Sequence, residues 1–372
     1  MGRRGIDGGG TGCCGRTMTE NQTRPNKLHW LTSFRHGPTL ALLAIIALFA
    51  LLDWQFGSGR FFSPRNARVI VNSAALIAVP ALGMTMIIIA GGIDLSAGTA
   101  LTLSGTALAI AFRDYTIPAD QAGAATWIAA ALALGLGVGI LCGLVNGLII
   151  SLTEMVPFIV TLGTMTIFLG LGQVIADEST VYPESGHLPD WLRYLCYTGS
   201  NSDHYWLGFL HIPSSALIAI VLGLLVAAVM HFTVFGRNVV AIGSNASTAR
   251  LCGIRVGWTT ALVYALAGIF VAVGALLYFA NVKNGNPSDG TGKELEIIAA
   301  VVLGGGSLSG GRGSVLGTII GALIIKTISS GCTMLSIPNT YTHIIIGVII
   351  IIAVLIDGLR NGAPKWLFDR LR

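Results

Sequence analysis

The chain has 372 residues, of which 53% are hydrophobic and only 10% are charged, with a formal net charge of +5 and a mean hydropathy of +0.76. Soluble domains carry about 25% charged residues, so this composition excludes a water-soluble globular protein. The basic residues cluster in short loops and tails, which is typical of membrane topology and argues against nucleic-acid binding.

Long uncharged segments define the fold class. Residues 124–153 and 256–282 contain no charged side chain, and each segment exceeds the roughly 20 residues that a helix needs to cross a bilayer. We therefore predict an all-α polytopic membrane protein with about ten transmembrane helices. The predicted spans are 38–52, 69–90, 95–112, 124–152, 157–176, 213–235, 257–280, 296–303, 313–332 and 342–356. Residues 296–303 are too short for a full crossing and suggest a partly re-entrant segment.

The distribution of Lys and Arg predicts the orientation of these spans. Residues 1–37 and 359–372 are basic tails that flank a transmembrane domain at 38–358, and both tails are expected in the cytoplasm. This placement requires an even number of spans. It puts the loop at 235–256 inside and the acidic loop at 177–212 outside, although Arg60, Arg65 and Arg68 then also fall outside. Met1 and Met18 both remain possible starts.

The stretch "AGGIDLSAG" at residues 90–98 separates the second and third spans. Gly91 and Gly92 are expected to break the second helix, and Asp94 and Ser96 then stand near the start of the third. A carboxylate at a helix N-terminus caps free amides and complements the helix dipole. Contact with a partner or with the transport path is the compatible functional interpretation.

Two other charged residues have mainly structural interpretations. Glu154 lies in the turn "SLTEMVPF" and is interpreted as a solvated turn residue. Lys326 lies inside an apolar segment, where its long stem is expected to extend toward the outer face rather than form a buried pair.

The loop "FGRNVVAIGSNASTARLCGIRVG" at residues 235–257 contains a predicted short helix. Ser244 or Asn245 is the expected N-cap, and Gly253 is the expected stop. A short helix lying across the inner face is suited to docking on a soluble motor; an ordinary amphipathic loop is the alternative.

The stretch "VVLGGGSLSGGRGS" at residues 301–314 is predicted to be an inner turn. A phosphate-binding P-loop needs a lysine and a hydroxyl after its second glycine, but Arg312 and Gly313 follow Gly311. We therefore predict that Gly304, Gly305, Gly310 and Gly311 let the chain reverse and let helices approach closely, with Arg312 as an inside charge. We predict neither a catalytic residue nor a metal site.

Several stretches together resemble the permease subunits of ribose-type monosaccharide ABC importers. They are "VNSAALIAVPALGMTMIIIAGGIDLSAGT", "GLVNGLII", "PFIVTLGTMTI", "GRNVVAIGSNASTARLCGI" and "GTGKELEIIAAVVLGGGSLSGGRGSVLGTIIGALII", and the resemblance covers residues 40 to 358. It implies the ABC importer permease fold, a bacterial inner-membrane location and a dimer with a second copy or a paralogue. It also implies a partner ATPase that binds ATP and Mg²⁺, with no cofactor on this chain, and a periplasmic sugar-binding protein.

The resemblance also implies which residues couple transport to ATP hydrolysis. On that basis Gly243, Asn245, Ala249, Arg250 and Gly253 belong to a coupling helix that docks on the ATPase. Four positions depart from the family pattern. Ala246 and Ser247 replace the usual acidic residues, Gly306 replaces a threonine, and Lys326 replaces a glycine.

Three other classes remain as alternatives. An ion-coupled secondary sugar carrier requires an ion-binding carboxylate, for which Asp94 is the candidate. A permease of the related branched-chain amino-acid importers, carrying another small polar solute, shares glycine-rich inner turns. A membrane enzyme would need a nucleophile with a base or a metal cluster, and neither is recognisable in the sequence.

Overall fold

The computed structural model describes residues 37–57, 59–114, 121–184, 188–207 and 211–360. Residues 1–36 and 361–372, which include almost all of both predicted tails and Met18, lie outside the described residues. Within the described ranges the protein is helical, and the only extended pairing is an isolated antiparallel bridge between Val181 and Gly285.

Most helices are joined by short connections, and the longest connecting region covers residues 176–213. They are α1 (Gly37–Phe56), α2 (Pro64–Ile89), α3 (Ala97–Asp114), α4 (Gln121–Thr153), α5 (Pro157–Ile175), α6 (Asp190–Tyr194), α7 (Ser214–Phe232), α8 (Val234–Ser244), α9 (Ala246–Leu251), α10 (Val256–Val282), α11 (Lys293–Leu303), α12 (Val315–Met334) and α13 (Asn339–Arg360). Short 3-10 helices occupy Ser202–His204 and Pro287–Gly290.

The prediction of an all-α polytopic membrane protein is confirmed. Among the described residues, seven helices are long and apolar enough to cross a membrane, namely α1, α2, α4, α5, α7, α10 and α12. Each of the ten predicted spans overlaps a helix. However, α3, α11 and α13 do not meet the same length and hydropathy requirements within the described residues, so the structure establishes seven candidate spans rather than ten.

Local sequence determines where several helices begin. The Ser63 side chain accepts a hydrogen bond from the amide of Asn66, and Pro64 occupies the first turn of α2. Ser314 caps α12 in the same way by accepting from the amide of Gly317. Hydroxyl caps and an N-terminal proline are favoured because the first amides of a helix lack intrahelical partners.

Small residues bring the central helices close together. A β-carbon at Gly143 of α4 would lie 2.6 Å from the α-carbon of Gly268 of α10, and one at Gly83 of α2 would lie 2.9 Å from the α-carbon of Ala267. Packing of backbones over small residues is a main source of helix association in lipid. Helices α2 and α10 therefore form the centre of the bundle, and most of α2 is buried.

The connections lie at two opposite ends of the bundle. We call the first end the glycine face; it comprises residues 90–96, 154–156, 245–255 and 304–314. We call the second end the loop face; it comprises residues 59–63, 176–184, 188–207, 211–213 and 335–338. Contacts within each end support this division. On the loop face, for example, the Arg68 Nε donates to the carbonyl of Thr198 at 3.1 Å.

Residues 283–292 enter the fold from the loop face without forming an α-helix. Gly285 lies against Thr106 of α3, the Pro287 carbonyl accepts from the Thr102 hydroxyl at 3.0 Å, and Gly290 lies against Gly98. These contacts follow α3 toward its N-terminus, so α11 begins inside the fold. Its 11 residues agree with the prediction that this segment is short and partly re-entrant.

Candidate functional site

Three glycine-containing segments that are far apart in sequence meet on the glycine face. The amide of Gly311 donates a hydrogen bond of 2.9 Å to the carbonyl of Ile89, at the end of α2. Gly243, near the end of α8, is in contact with both groups, and a β-carbon there would overlap the Ile89 carbonyl oxygen. A β-carbon at Gly310 would lie 3.0 Å from the α-carbon of Gly91. The structure therefore brings the helix break, the predicted coupling segment and the glycine-rich turn into one junction.

The glycine-rich segment at 304–314 forms the predicted turn. The amide of Gly310 donates to the Ser307 carbonyl at 3.0 Å, and the amide of Ser307 donates to the Arg312 carbonyl at 3.1 Å. Gly310 and Gly311 have φ values of +84° and +72°, which favour glycine. Gly304 packs against Gly317 of α12, Gly305 follows it in the turn, and the Arg312 side chain is exposed.

The predicted coupling helix is α9, on the glycine face. Asn245 is its N-cap, because the Asn245 Oδ1 accepts from the amide of Thr248 at 2.9 Å. Ala249 is buried against the fold, whereas Arg250 and Leu251 are exposed. Gly253 adopts φ +84° and follows the last turn. The prediction of a short helix between Asn245 and Gly253 is confirmed.

An ion pair connects α9 to the turn between α4 and α5. The Arg250 Nη2 lies 3.3 Å from the Glu154 Oε1, and these side chains are 62% and 72% exposed. Glu154 is solvated, as predicted, but the sequence did not reveal its partner. Beside the pair lies a cavity of about 260 Å³, whose walls include Gly91, Gly92 and Tyr264.

Asp94 and Ser96 lie in a buried network beside this junction. The Asp94 Oδ1 accepts from the amide and the hydroxyl of Ser96 at 2.8 and 2.7 Å. The Asn146 Nδ2 of α4 donates to the Ser96 hydroxyl at 2.7 Å. The adjacent Ile93 carbonyl accepts from the hydroxyls of Thr161 and Tyr264. These contacts support the interpretation of Asp94 as a capping residue before α3, and Asn146 of α4 joins the network through Ser96.

The structure contradicts the expected position of the Lys326 side chain. This side chain does not extend away from the fold, because the Lys326 Nζ lies 2.6 Å from the Glu296 Oε2, and the two side chains are 18% and 17% exposed. The predicted extended side chain is therefore wrong, and the pair joins α11 to α12. Nearby, the Lys293 ammonium lies 4.5 Å from the centre of the Tyr278 ring. In the sequence, only the unusual shortness of the 296–303 segment marked this region as different from an ordinary membrane span.

The described residues contain no group of three or more His, Cys, Asp or Glu side chains that could hold a metal ion. The arrangement instead consists of helix ends, a short surface helix and ion pairs. These elements meet at one end of a polytopic membrane protein.

Comparison with known proteins assigns the family. The profile of the family described as "Branched-chain amino acid transport system / permease component" matches residues 66–354. The chain is 34% identical over 345 residues to the ribose import permease protein RbsC of Bacillus subtilis, covering 92% of this chain and 98% of that protein. It is 32% identical over 351 residues to the galactose/methyl galactoside import permease protein MglC of Escherichia coli, covering 91% and 99%. No solved structure matches.

These matches assign both the class and the family of this protein. The protein is a membrane transport component rather than an enzyme. It belongs to the permease-component family of the branched-chain amino acid transport system type, which includes import permeases for several sugars.

Proposed function

We propose that this chain is the transmembrane permease subunit of an ATP-driven importer that translocates a monosaccharide, ribose or a similar sugar. The relatives named for ribose and galactose support this assignment because each aligns over nearly its whole length. A partner ABC ATPase binds ATP and Mg²⁺, a periplasmic sugar-binding protein delivers the substrate, and this chain binds no cofactor or nucleic acid. A second permease, either another copy or a paralogue, completes the pathway.

The glycine face is the cytoplasmic side of a bacterial inner membrane in this proposal. The connections there carry the basic residues Arg250, Arg255 and Arg312, and cytoplasmic loops favour Lys and Arg. The loop face is then periplasmic. Ten spans place both termini in the cytoplasm, with residues 1–37 and 359–372 as tails and residues 38–358 as the permease domain.

The observation that carries the mechanism is the contact of Gly311 and Gly243 with Ile89. Helix α9 docks on the ATPase, and its movement passes through Gly243 to the end of α2 and to the break at Gly91 and Gly92. The Arg250–Glu154 pair provides a second connection, to α4 and α5. Together these two connections allow movement of the ATPase to shift the helices that border the pathway.

The segment 91–96 contributes to the pathway in this mechanism. Gly91 and Gly92 line the cavity beside the coupling helix, and Asp94 and Ser96 hold the start of α3 through their contact with Asn146. The pathway is only shallowly polar, so selectivity resides mainly in the binding protein.

Transport by purified components tests the proposal. Proteoliposomes contain this chain and its ATPase, with the binding protein outside and ATP inside. Uptake of labelled ribose, xylose, galactose or fructose is expected only when both ATP and the binding protein are present. An ATPase variant that binds ATP without hydrolysing it is the control and should abolish uptake.

Two other outcomes would replace the proposal. ATP-dependent uptake of a branched-chain amino acid, and of none of these sugars, would assign another small polar solute, consistent with the description of the matching family. Uptake driven by an ion gradient without ATP or binding protein would identify an ion-coupled carrier, with Asp94 as the first residue to examine.

A further inference from the structure

A polar groove lies between α2 and α12, away from the coupling helix. Its cavity measures about 210 Å³. We define the polar groove by the hydrophilic side chains that line it: Asn66, Ser73, Lys326, Ser329, Ser330 and Thr333. At ~30 Å³ per water molecule, the cavity has room for about seven waters or for one small solute that displaces them.

Helical spacing explains why these side chains face one another. On α12, residues 326, 329, 330 and 333 recur at intervals of three and four, and on α2 residues 66 and 73 are seven apart with residues 69 and 70 between them. Positions with these spacings share one helix face. The polar stripe of α12 thus lies opposite Asn66 and Ser73 of α2, and the apolar side chains of Val69, Ile70 and Met334 complete the lining.

The groove retains free hydrogen-bonding capacity. Hydroxyls in membrane helices generally pair with neighbouring helices, and the Ser330 hydroxyl does so by donating to the Asn66 Oδ1 at 2.7 Å. Among the described residues, the hydroxyls of Ser73 and Ser329 have no hydrogen-bond partner, although both side chains are only partly exposed. These two hydroxyls are available to a bound molecule.

The charge in the groove favours a neutral ligand. The Lys326 ammonium is paired with Glu296 at 2.6 Å, so the pair has no net charge. An anion would have to compete with Glu296, and a cation with Lys326. The ammonium has three N–H donors, and donors that face the groove can serve hydroxyl oxygens without separating the pair.

The groove also has a direction. Asn66 and Thr333 lie close to the ends of α2 and α12 at the loop face. Lys326 lies seven residues deeper along α12, which corresponds to about 10 Å of helix. A solute entering from the loop face would meet Thr333, Ser330 and Ser329 first, and Ser73 and the ion pair last.

We propose that the polar groove is a low-affinity binding site for a neutral polyhydroxylated solute on its way into the membrane domain. This inference rests on the proposed function, because it identifies where the transported sugar first contacts this chain. Few groups in the groove can bind sugar hydroxyls, so affinity is low and release is easy.

Protection of an introduced cysteine tests the groove directly. The complete transporter carrying Ser329→Cys is placed in lipid nanodiscs and treated with a charged thiosulfonate, and modification at residue 329 is measured by peptide mass. Ribose, xylose, galactose and fructose are each added at 40 mM. For a Kd of about 10 mM, a protecting sugar should slow modification about fivefold, because the unoccupied fraction falls by 1 + [L]/Kd.

Matched variants make the outcome decisive. Thr333→Cys, at the mouth of the groove, should show the same protection. Ser202→Cys, which is exposed on the loop face, should react at an unchanged rate. The proposal is overturned if no sugar slows modification at either groove position, or if inorganic phosphate protects and the sugars do not. ATP-dependent uptake by the unsubstituted transporter is measured separately. Normal uptake without protection at either groove position would reject the groove as a sugar-binding site and leave the proposed importer function intact.

Discussion

The amide of Gly311 donates a 2.9 Å hydrogen bond to the carbonyl oxygen of Ile89, the last residue of α2. The last carbonyl groups of a helix have no intrahelical partner and need one from elsewhere. Here a residue more than 200 positions away in sequence supplies it. The end of α2 and the glycine-rich turn are therefore held together, and Gly243 packs against the same pair of groups.

Gly243→Ala should impair coupling because its new methyl group would overlap the Ile89 carbonyl oxygen. Relief of this overlap requires α8 to move away from α2, at a cost of about 1–3 kcal/mol, as for other overpacked positions. We expect sugar uptake to fall while the ATPase still hydrolyses ATP. Uptake and ATP hydrolysis are measured in the same proteoliposomes and compared as a ratio.

Gly163→Ala is the matched control for this variant. Gly163 lies in α5, and nothing lies within 4 Å of the position that its β-carbon would occupy. Alanine is the better helix former by about 1 kcal/mol, so Gly163→Ala should keep a normal ratio of uptake to hydrolysis. An unchanged ratio in Gly243→Ala would contradict the role of this junction.

Arg250→Glu should reduce transport without unfolding the protein. The pair of Arg250 and Glu154 is mostly exposed, and such pairs contribute about 0–1 kcal/mol to stability. The expected defect is therefore in coupling, since Glu154 would then repel residue 250. Melting temperature, membrane insertion and the ratio of uptake to ATP hydrolysis are the measurements.

The charge-swapped double variant Arg250→Glu/Glu154→Arg separates two explanations of that defect. Restored uptake would show that the contact between α9 and the α4–α5 turn is what matters. Failure of the swap, with a folded protein, would indicate that Arg250 contacts the ATPase directly. Normal uptake by Arg250→Glu alone would contradict both.

Gly253→Ala should disturb the position of α9. Gly253 has φ +84°, and a residue with a β-carbon pays about 1–2 kcal/mol in that conformation. No neighbouring atom obstructs the side chain, so the effect comes from the backbone alone. We expect normal insertion, weaker binding of the ATPase in a pull-down with purified subunits, and reduced uptake.

Gly253→Asn is the control, because asparagine tolerates a positive φ and should retain more activity. Uptake at the unsubstituted level by both Gly253→Ala and Arg250→Glu would refute docking through α9.

The sequence was sufficient to predict the ten apolar segments, α9 and the local turns, but it predicted neither α6 nor α8. Apolar length located segments that overlap helices throughout the described chain, and Asn245 and Gly253 identified α9 through the chemistry of helix caps. The turn at Gly310 and Gly311 followed from the same reasoning. These features depend on neighbours within a few residues, so one-dimensional patterns are adequate.

Contacts between distant segments could not be predicted in this way. Nothing in the sequence placed Glu154 beside Arg250 or Asn146 beside Ser96, because both contacts require the packing of α4 against other helices. Lys326 is the clearest failure. Its stem length suggested an extended side chain, but the entry of residues 283–292 into the fold brings Glu296 to it.

Lys326→Met should destabilise the protein more than any of the surface changes. The pair with Glu296 is largely buried, and removal of one partner leaves a charge unpaired at a cost of about 3–5 kcal/mol. The double variant Lys326→Met/Glu296→Gln removes both charges and should recover most of the loss, since a buried pair often adds little net stability. Apparent melting temperature in nanodiscs measures this: a drop of several degrees in the single variant and recovery in the double variant are expected. Equal melting temperatures for Lys326→Met and the unsubstituted protein would contradict the role of this pair in holding α11 to α12.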